Sequence, residues 1–442
     1  MSEEYMDFDR FIHTFELKLD REFDHDDIAA SWAPSTKNAP LLWGEELDVF
    51  ELNDNDPMST MAEKPSATLT VSPDSKFLAI ATNAVIRIYV VESKLLMAEL
   101  HGHEETIEAV HFWKLNHQNV QNAHYVVFSQ DSEPVGADGT ILTWYLDKDG
   151  ERVDDTENPI NFEGRFLSGS LTALSHDEIL FVHSDRSITT QGWPRPTEWF
   201  PQLVVRSLLD PLTEVRRLKG HQDAIMWASW SSTDPNIIAS ASWDESCRIW
   251  NAATGECIHN IRHTSGQNWT GDFSPNGEQV VFAGRNRSGP PTIAIYSVAT
   301  GNRVLQLEMP GLRGWSAPLA WSRNGDVIAL VIKRAVILWE VAINKTTEVL
   351  EVHSDGSWRD SFCGITSVKW LDRNGEKLLV RVSDHTIFIW DRKRNWKWRL
   401  QRPPTLQEMV TLSTAEAFIE EKNLLLSLDG DWRVRTWELE SG

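Results

Sequence analysis

The stretch GHQDAIMWASWSSTDPNIIASASWDESCRIWNAATG, residues 220–255, reads as one small structural unit. It opens on Gly220-His221. Ile225–Trp230 alternates apolar and polar residues, as a half-buried strand does. Ser231–Asn236 is turn chemistry, Ile237–Ser242 is a second strand, and Trp243-Asp244-Glu245 is a tight turn. Cys247–Trp250 is a third strand, after which Asn251–Gly255 turns the chain again.

The spacing inside this unit recurs. Asp244 precedes Trp250 by six residues, and the same spacing holds at Asp138/Trp144, Asp384/Trp390 and Asp431/Trp437. Asp185 with Gln191 keeps the Asp and loses the Trp, while Tyr89, Tyr296 and Trp339 keep an aromatic strand end without the Asp. These markers fall about 50 residues apart on average, the mark of a stacked array.

Four short strands bracketed by Gly-His and a terminal Trp resemble the WD40 repeat. The resemblance covers about residues 67–440 and implies an all-β fold, a WD40-type β-propeller. Third strands number eight, so eight blades are favoured. If residues 151–219 are an insertion, the number is seven. In that family the Gly-His histidine, a second-strand Ser or Thr, the turn Asp and the third-strand Trp form a buried network. By resemblance these roles fall on His221, Ser240 (or Ser242), Asp244 and Trp250. Reduced sets are His103, Asp138 and Trp144; Asp384 with Trp390; and Asp431 with Trp437. Several repeats lack both the Gly-His and the Asp.

Taken in order, the expected blades cover 67–100, 101–147, 151–219, 220–262, 268–308, 315–350, 364–400 and 408–440. In 151–219 the strands are read at Leu171–Ser175, Ile179–His183, Ser187–Gln191 and Glu214–Leu218. The last segment offers only three, Val410–Leu412, Leu424–Leu428 and Arg433–Leu439. A sheet edge left open there invites pairing with another chain. Leu41–Leu52 is the favoured source of the missing strand, with Phe11–Leu19 as the alternative. Residues 1–66 form a short acidic extension outside the repeats. Its Phe8, Phe11, Ile12, Phe15, Leu19 and Phe23 have helical spacing. That face either packs on the repeat body or docks into a partner's groove.

The chain has 442 residues, 42 Lys+Arg against 65 Asp+Glu, and a formal charge of −23. Such a field opposes broad contact with anionic membrane or nucleic acid. Three cysteines, Cys247, Cys257 and Cys363, are too few for a disulfide framework, and no Cys/His cluster has zinc spacing. The start, MSEEYMDFDRF, lacks an apolar signal core, and no run approaches 18 apolar residues. A cytoplasmic or nuclear protein is expected.

No hydrolase elbow, phosphate loop, dinucleotide fingerprint or zinc-protease motif occurs, and no enzyme, metal or cofactor is expected. The expected function is a non-enzymatic scaffold or adaptor for other proteins or peptides, within a larger complex. Three enlarged loops, Trp193–Pro211, Gly284–Pro291 and His353–Phe362, are candidate contact surfaces. Trp358, Arg359, Arg285 and Arg287 are their expected anchors, since exposed Trp and Arg are enriched in hot spots. Trp390-Asp391-Arg392-Lys393 resembles the WDxR box of cullin-4 substrate receptors, except that its final position is Lys393. A ubiquitin-ligase substrate receptor is therefore one alternative. A propeller enzyme or a nucleic-acid-associated factor is another, the latter from the basic, Trp-bearing DRKRNWKWRL at 391–400.

Overall fold

A computed structural model describes residues 46–51, 67–115, 122–131, 139–153, 159–169, 171–175, 178–185, 200–308, 316–332, 335–351, 365–382, 387–393, 396–400, 415–428 and 433–438. Among them the chain forms eight antiparallel sheets of four strands each. Strand β1 (Glu46–Glu51) stands apart in sequence from its sheet. Four consecutive strands build each of the next sheets: β2–β5 (Ala67–Val71, Phe77–Thr82, Val85–Val90, Leu96–Leu100), then β6–β9 (Ile107–Lys114, Tyr125–Asp131, Thr140–Leu146, Ile160–Glu163). They are followed by β10–β13 (Thr172–Ser175, Glu178–Ser184, Leu203–Ser207, Asp210–Leu218) and β14–β17 (Ile225–Trp230, Ile237–Ser242, Ser246–Asn251, Cys257–Arg262). Next come β18–β21 (Gln267–Phe273, Gln279–Arg285, Thr292–Ser297, Arg303–Leu307) and β22–β25 (Ser316–Trp321, Val327–Ile332, Ala335–Glu340, Lys345–Glu351). The series ends with β26–β29 (Ile365–Trp370, Lys377–Val382, Ile387–Asp391, Trp396–Leu400) and β30–β32 (Ala415–Ile419, Leu424–Leu428, Arg433–Glu438).

Contacts divide the chain into two compact units, one built on Leu218–Gln401 with Leu167–Leu171, the other on Trp43–Phe166, Thr172–Arg217 and Arg402–Gly442. In the first unit, apolar clusters lie between successive sheets: β14–β17 against β18–β21, β18–β21 against β22–β25, and β22–β25 against β26–β29. In the second, β2–β5 packs against β6–β9 on one side and against β30–β32 on the other. Burial on both faces explains a sequence feature. Second strands such as FLAIAT (β3) and VIALVI (β23) are apolar, apart from Thr82, and buried at every position. Trp144, Trp250, Trp339 and Trp390 sit on third strands and are fully buried.

The aromatic markers have a shared geometric cause. Register shifts between the third and fourth strands fall at Ile88/Tyr89, Ile249/Trp250, Ile295/Tyr296 and Leu338/Trp339. The extra residue of each bulge, Met97, Ile258, Val304 or Thr347, lies on the fourth strand opposite the marker and bends that strand there.

Strand placement departs from expectation twice. The third strand of the sheet at 172–218 is Leu203–Ser207 rather than Ser187–Gln191, which lies outside the described residues. LVVRS is buried throughout, and Asp185 ties the base of the intervening loop by accepting the Gln202 N–H at 2.8 Å. The first strand of the last sheet is Ala415–Ile419; Val410–Leu412 lies outside the described residues. A 3₁₀ turn at Glu420–Lys422 and a left-handed Asn423 (φ 50°) set that hairpin. The sheet's fourth strand is β1, paired antiparallel with β32 from Glu46↔Trp437 to Glu51↔Arg433. The Phe11–Leu19 alternative and the expected helical face at Phe8–Phe23 lie outside the described residues.

Candidate functional site

The loop entering β14 and the turn joining β15 to β16 bring four side chains into one chain of hydrogen bonds. Gly220 has φ +152°, a conformation that favours glycine, and it turns His221 inward. His221 Nδ1 lies 2.9 Å from Asp244 Oδ2, and its Nε2 lies 2.7 Å from Ser240 Oγ. Trp250 Nε1 donates to the same Ser240 hydroxyl at 2.9 Å. Since Ser240 accepts from the indole, its one proton goes to His221 Nε2, and the ring carries its own proton on Nδ1 facing Asp244. Asp244 also accepts from Ser246 Oγ (2.6 Å), Ser246 N (2.9 Å) and Gln222 N (2.9 Å). Burial alone would raise the Asp244 pKa. The bonds from His221, Ser246 and Gln222 outweigh it and hold the carboxyl well below its usual range. Burial lowers His221 despite that carboxylate, so the ring stays neutral. Every acceptor in this network is spent inside the sheet.

Three other sheets solve the same problem with different residues. In β6–β9, His103 Nδ1 meets Asp131 Oδ2 at 3.0 Å and Nε2 meets Ser129 Oγ at 2.7 Å. Asp131 holds the register place of Ser242, opposite Ile107 as Ser242 is opposite Ile225. The expected Asp138 lies outside the described residues; the carboxylate on His103 is Asp131, because the strand here ends in Asp where its counterpart ends in Ser. Trp144 packs edge-on against His103 at 5.8 Å, as Trp250 packs on His221. In β18–β21, His263 takes the histidine place without a preceding Gly, and the Tyr296 hydroxyl reaches its Nδ1 directly at 3.0 Å. In β10–β13, Arg206 Nε donates to His183 Nε2 at 3.1 Å, and its guanidinium lies over the Phe162 ring at 4.6 Å. The Gly-His pattern could not find His263. The aromatic strand end at Tyr296 was the available signal.

Of the remaining expected members, Asp384 and Asp431 lie outside the described residues, Trp390 is fully buried, and Trp437 pairs with Leu425 and Glu46 in the ladder. Arg392 is a brace. It donates to Glu348 Oε1 (2.8 and 3.1 Å) and to the Gly375 carbonyl (2.9 Å), while Asp391 is buried.

The surface next to Asp244 is different in kind. Gln222, Asp223, Trp243, Asp244, Glu245, Arg262, Ser265 and Arg287 line an open depression of about 580 Å³. Glu245 has left-handed backbone, φ 71°, which a non-glycine residue adopts only when its surroundings hold it there. Its carbonyl accepts the His263 N–H at 3.3 Å, and its carboxylate is paired with two arginines. Arg262 donates to Glu245 Oε2 at 2.7 Å and Arg287 to Oε1 at 2.7 Å. The Arg262 hydrogen bond, then Arg287, lowers the Glu245 pKa against its slight burial. Asn286 pins the loop that carries Arg287: its Oδ1 accepts from Ser265 N (3.1 Å), and its Nδ2 donates to Pro290 O (2.7 Å) and Thr292 Oγ1 (2.8 Å). The expected anchors Arg285 and Arg287 are both exposed on this loop. Trp358 and Arg359 lie outside the described residues.

Among the described residues no three His, Cys, Asp or Glu side chains are grouped to hold a metal. Burial raises the Cys247 thiol well above its usual range, which leaves it a packing residue.

Residues 212–251 match the family model described as WD domain, G-beta repeat. The 220–255 unit is a WD40 repeat. Two solved structures share the fold of this WD40-type propeller chain: a computationally designed protein, Ika8 (TM-score 0.58, 17% identical, 86% of this chain and 98% of that one), and the C-terminal WD40 domain of Sif2 (TM-score 0.52, 16% identical, 74% and 80%). Among curated relatives, the WD repeat-containing protein AAC3 of Dictyostelium discoideum is 25% identical over 183 residues, 41% of this chain and 36% of that one. THO complex subunit 3 of Arabidopsis thaliana is 23% identical over 175 residues (39% and 50%), and the small ribosomal subunit protein RACK1 of Drosophila melanogaster is 26% identical over 174 (39% and 52%). The matches thus span between about a third and about half the length of those relatives.

Proposed function

We propose that this chain is a protein-binding scaffold, a non-enzymatic subunit of a larger assembly in cytoplasm or nucleus. The partner docks on the face formed by the Trp243–Glu245 turn and the loop bearing Arg285 and Arg287. One observation carries the reading. The titratable groups of the repeat are locked into buried structural networks, whereas Trp243, Arg262 and Arg287 are preorganised around an open depression. Rigid exposed Arg beside Trp is the composition of an interface anchor, and a face already ordered loses little entropy on binding. Two matched relatives are, by their printed names, a THO complex subunit and a guanine nucleotide-binding protein subunit, which suits a subunit role.

The test is affinity purification of the tagged chain from its own cells beside the double variant Arg285→Glu/Arg287→Glu, with circular dichroism and melting as folding controls. A stoichiometric partner lost only from the folded variant supports this face. A partner retained by the variant refutes the placement, and no partner for either form refutes the scaffold.

A further inference from the structure

Hydrogen-bond supply and demand around the depression are unequal. Asp244 is saturated by His221, Ser246 and the Gln222 N–H, and Asp223 Oδ1 accepts the Ala224 N–H at 2.7 Å. Asn286 Oδ1 is taken by Ser265 N and Oγ. Glu245 accepts from one nitrogen of each arginine. A guanidinium carries five N–H groups, so after this clamp both arginines keep most of their donors. Their side chains are 82% and 78% exposed. Asp244 and Glu245 accept on both oxygens and Asp223 on one, so although three carboxylates face two arginines here, the N–H donors are in surplus.

The clamp also fixes where those donors sit. Glu245 holds one guanidinium on each carboxylate oxygen, and both arginines line the same depression. Gly266 lets the Ser265 loop press against the Arg285–Arg287 backbone: a Cβ there would lie 2.3 Å from the Arg285 carbonyl oxygen and 3.1 Å from the Arg287 nitrogen. Two planar forks on a rigid base suit a tetrahedral dianion whose three oxygens can bridge both. At about 580 Å³ the depression is much larger than one such group, leaving room for flanking residues against the Trp243 indole. Trp243 itself is steadied by an edge-on contact with Trp269, ring centres 5.1 Å apart.

We infer that Arg262 and Arg287, clamped by Glu245, form a site for a phosphorylated side chain of a partner protein. This rests on the scaffold reading above and names the chemistry its docking face selects.

The test uses the purified full-length chain and fluorescent peptide pools with a fixed central phosphoserine, serine or glutamate and degenerate flanks, followed by polarisation. The phosphoserine pool is expected to bind at least about 10-fold tighter than the serine pool, and inorganic phosphate to compete with it. Arg262→Gln and Arg287→Gln should each weaken binding by about 10-fold, and Arg287→Lys, which keeps the charge without the fork, by somewhat less. All variants are melted to confirm folding. Equal binding of phosphoserine and serine pools, or indifference to both Arg→Gln changes, overturns the inference. Equal binding of the glutamate pool overturns the choice of phosphate. A cellular partner that survives phosphatase treatment, yet is lost from Arg285→Glu/Arg287→Glu, would leave the scaffold standing and the phosphate site refuted.

Discussion

The Tyr296 hydroxyl lies 3.0 Å from Nδ1 of His263, doing in one sheet what a serine and a tryptophan do together in another. His263 Nε2 faces the Thr292 carbonyl at 3.2 Å, so that nitrogen carries the proton and Nδ1 accepts from the phenol. Tyr296→Phe removes that donor and leaves a buried ring nitrogen unsatisfied. We expect a loss of about 1–3 kcal/mol in chemical denaturation. A variant as stable as the parent would show the contact to be incidental.

Asp131 and Asp244 should prove equivalent in weight although they occupy different places in their strands. Alanine at Asp131 strands His103 and the Thr140 N–H; alanine at Asp244 strands His221, Ser246 and the Gln222 N–H. Each change is expected to cost about 1–3 kcal/mol per buried donor left unpaired. Differential scanning calorimetry of the two variants reads this directly, and an unshifted melting temperature for Asp131→Ala would return the search to another carboxylate.

Acid sensitivity follows from the buried imidazoles. Burial lowers His263 to about 4 and His183 to about 3, against 6.5 for an ordinary histidine. Between those values the unfolded chain binds protons that the folded chain refuses, so stability is complete above about pH 6.5 and declines as pH falls toward 4. The denaturation midpoint should therefore drop from pH 7 to pH 5, and His263→Gln should flatten part of that slope. A midpoint that rises on acidification would contradict the assignment.

Removing residues 46–51 takes the pairing partner from β32. An open strand edge recruits other chains. The deletion is expected to elute as concentration-dependent oligomers in size-exclusion chromatography with light scattering. A monodisperse monomer would mean that β32 does not need β1.

The architecture was readable because its causes are local and repeated. Aromatic residues at 89, 144, 250, 296, 339 and 390 mark third strands, and at 89, 250, 296 and 339 the ladder shifts register at the marker itself. The 220–255 network was legible for the same reason, since Gly220, His221, Ser240, Asp244 and Trp250 all follow the pattern. Asp131 was missed because a fixed Asp-to-Trp interval cannot see a carboxylate that has moved to the end of the preceding strand. His183 with Arg206 was missed because the pair replaces the usual chemistry altogether. Arg287 was legible as an exposed loop residue, whereas its pairing with Glu245 depends on three loops meeting in space. Arg392 shows the converse. It fills the variable place of the WDxR-like box, and Glu348 and Gly375 consume it.

The pairing of β1 with β32 also sets a clock. Residues 46–51 leave the ribosome early, yet the ladder they join needs residues 433–438. At about 5–20 residues per second, that wait is roughly 20 to 80 seconds of synthesis. During it, β2–β5 faces no finished neighbour on the side later covered by Ala415, Ile419 and Leu426. This sheet is thus completed only when two strands made far apart in time meet, and the interval is when a chaperone has most to protect.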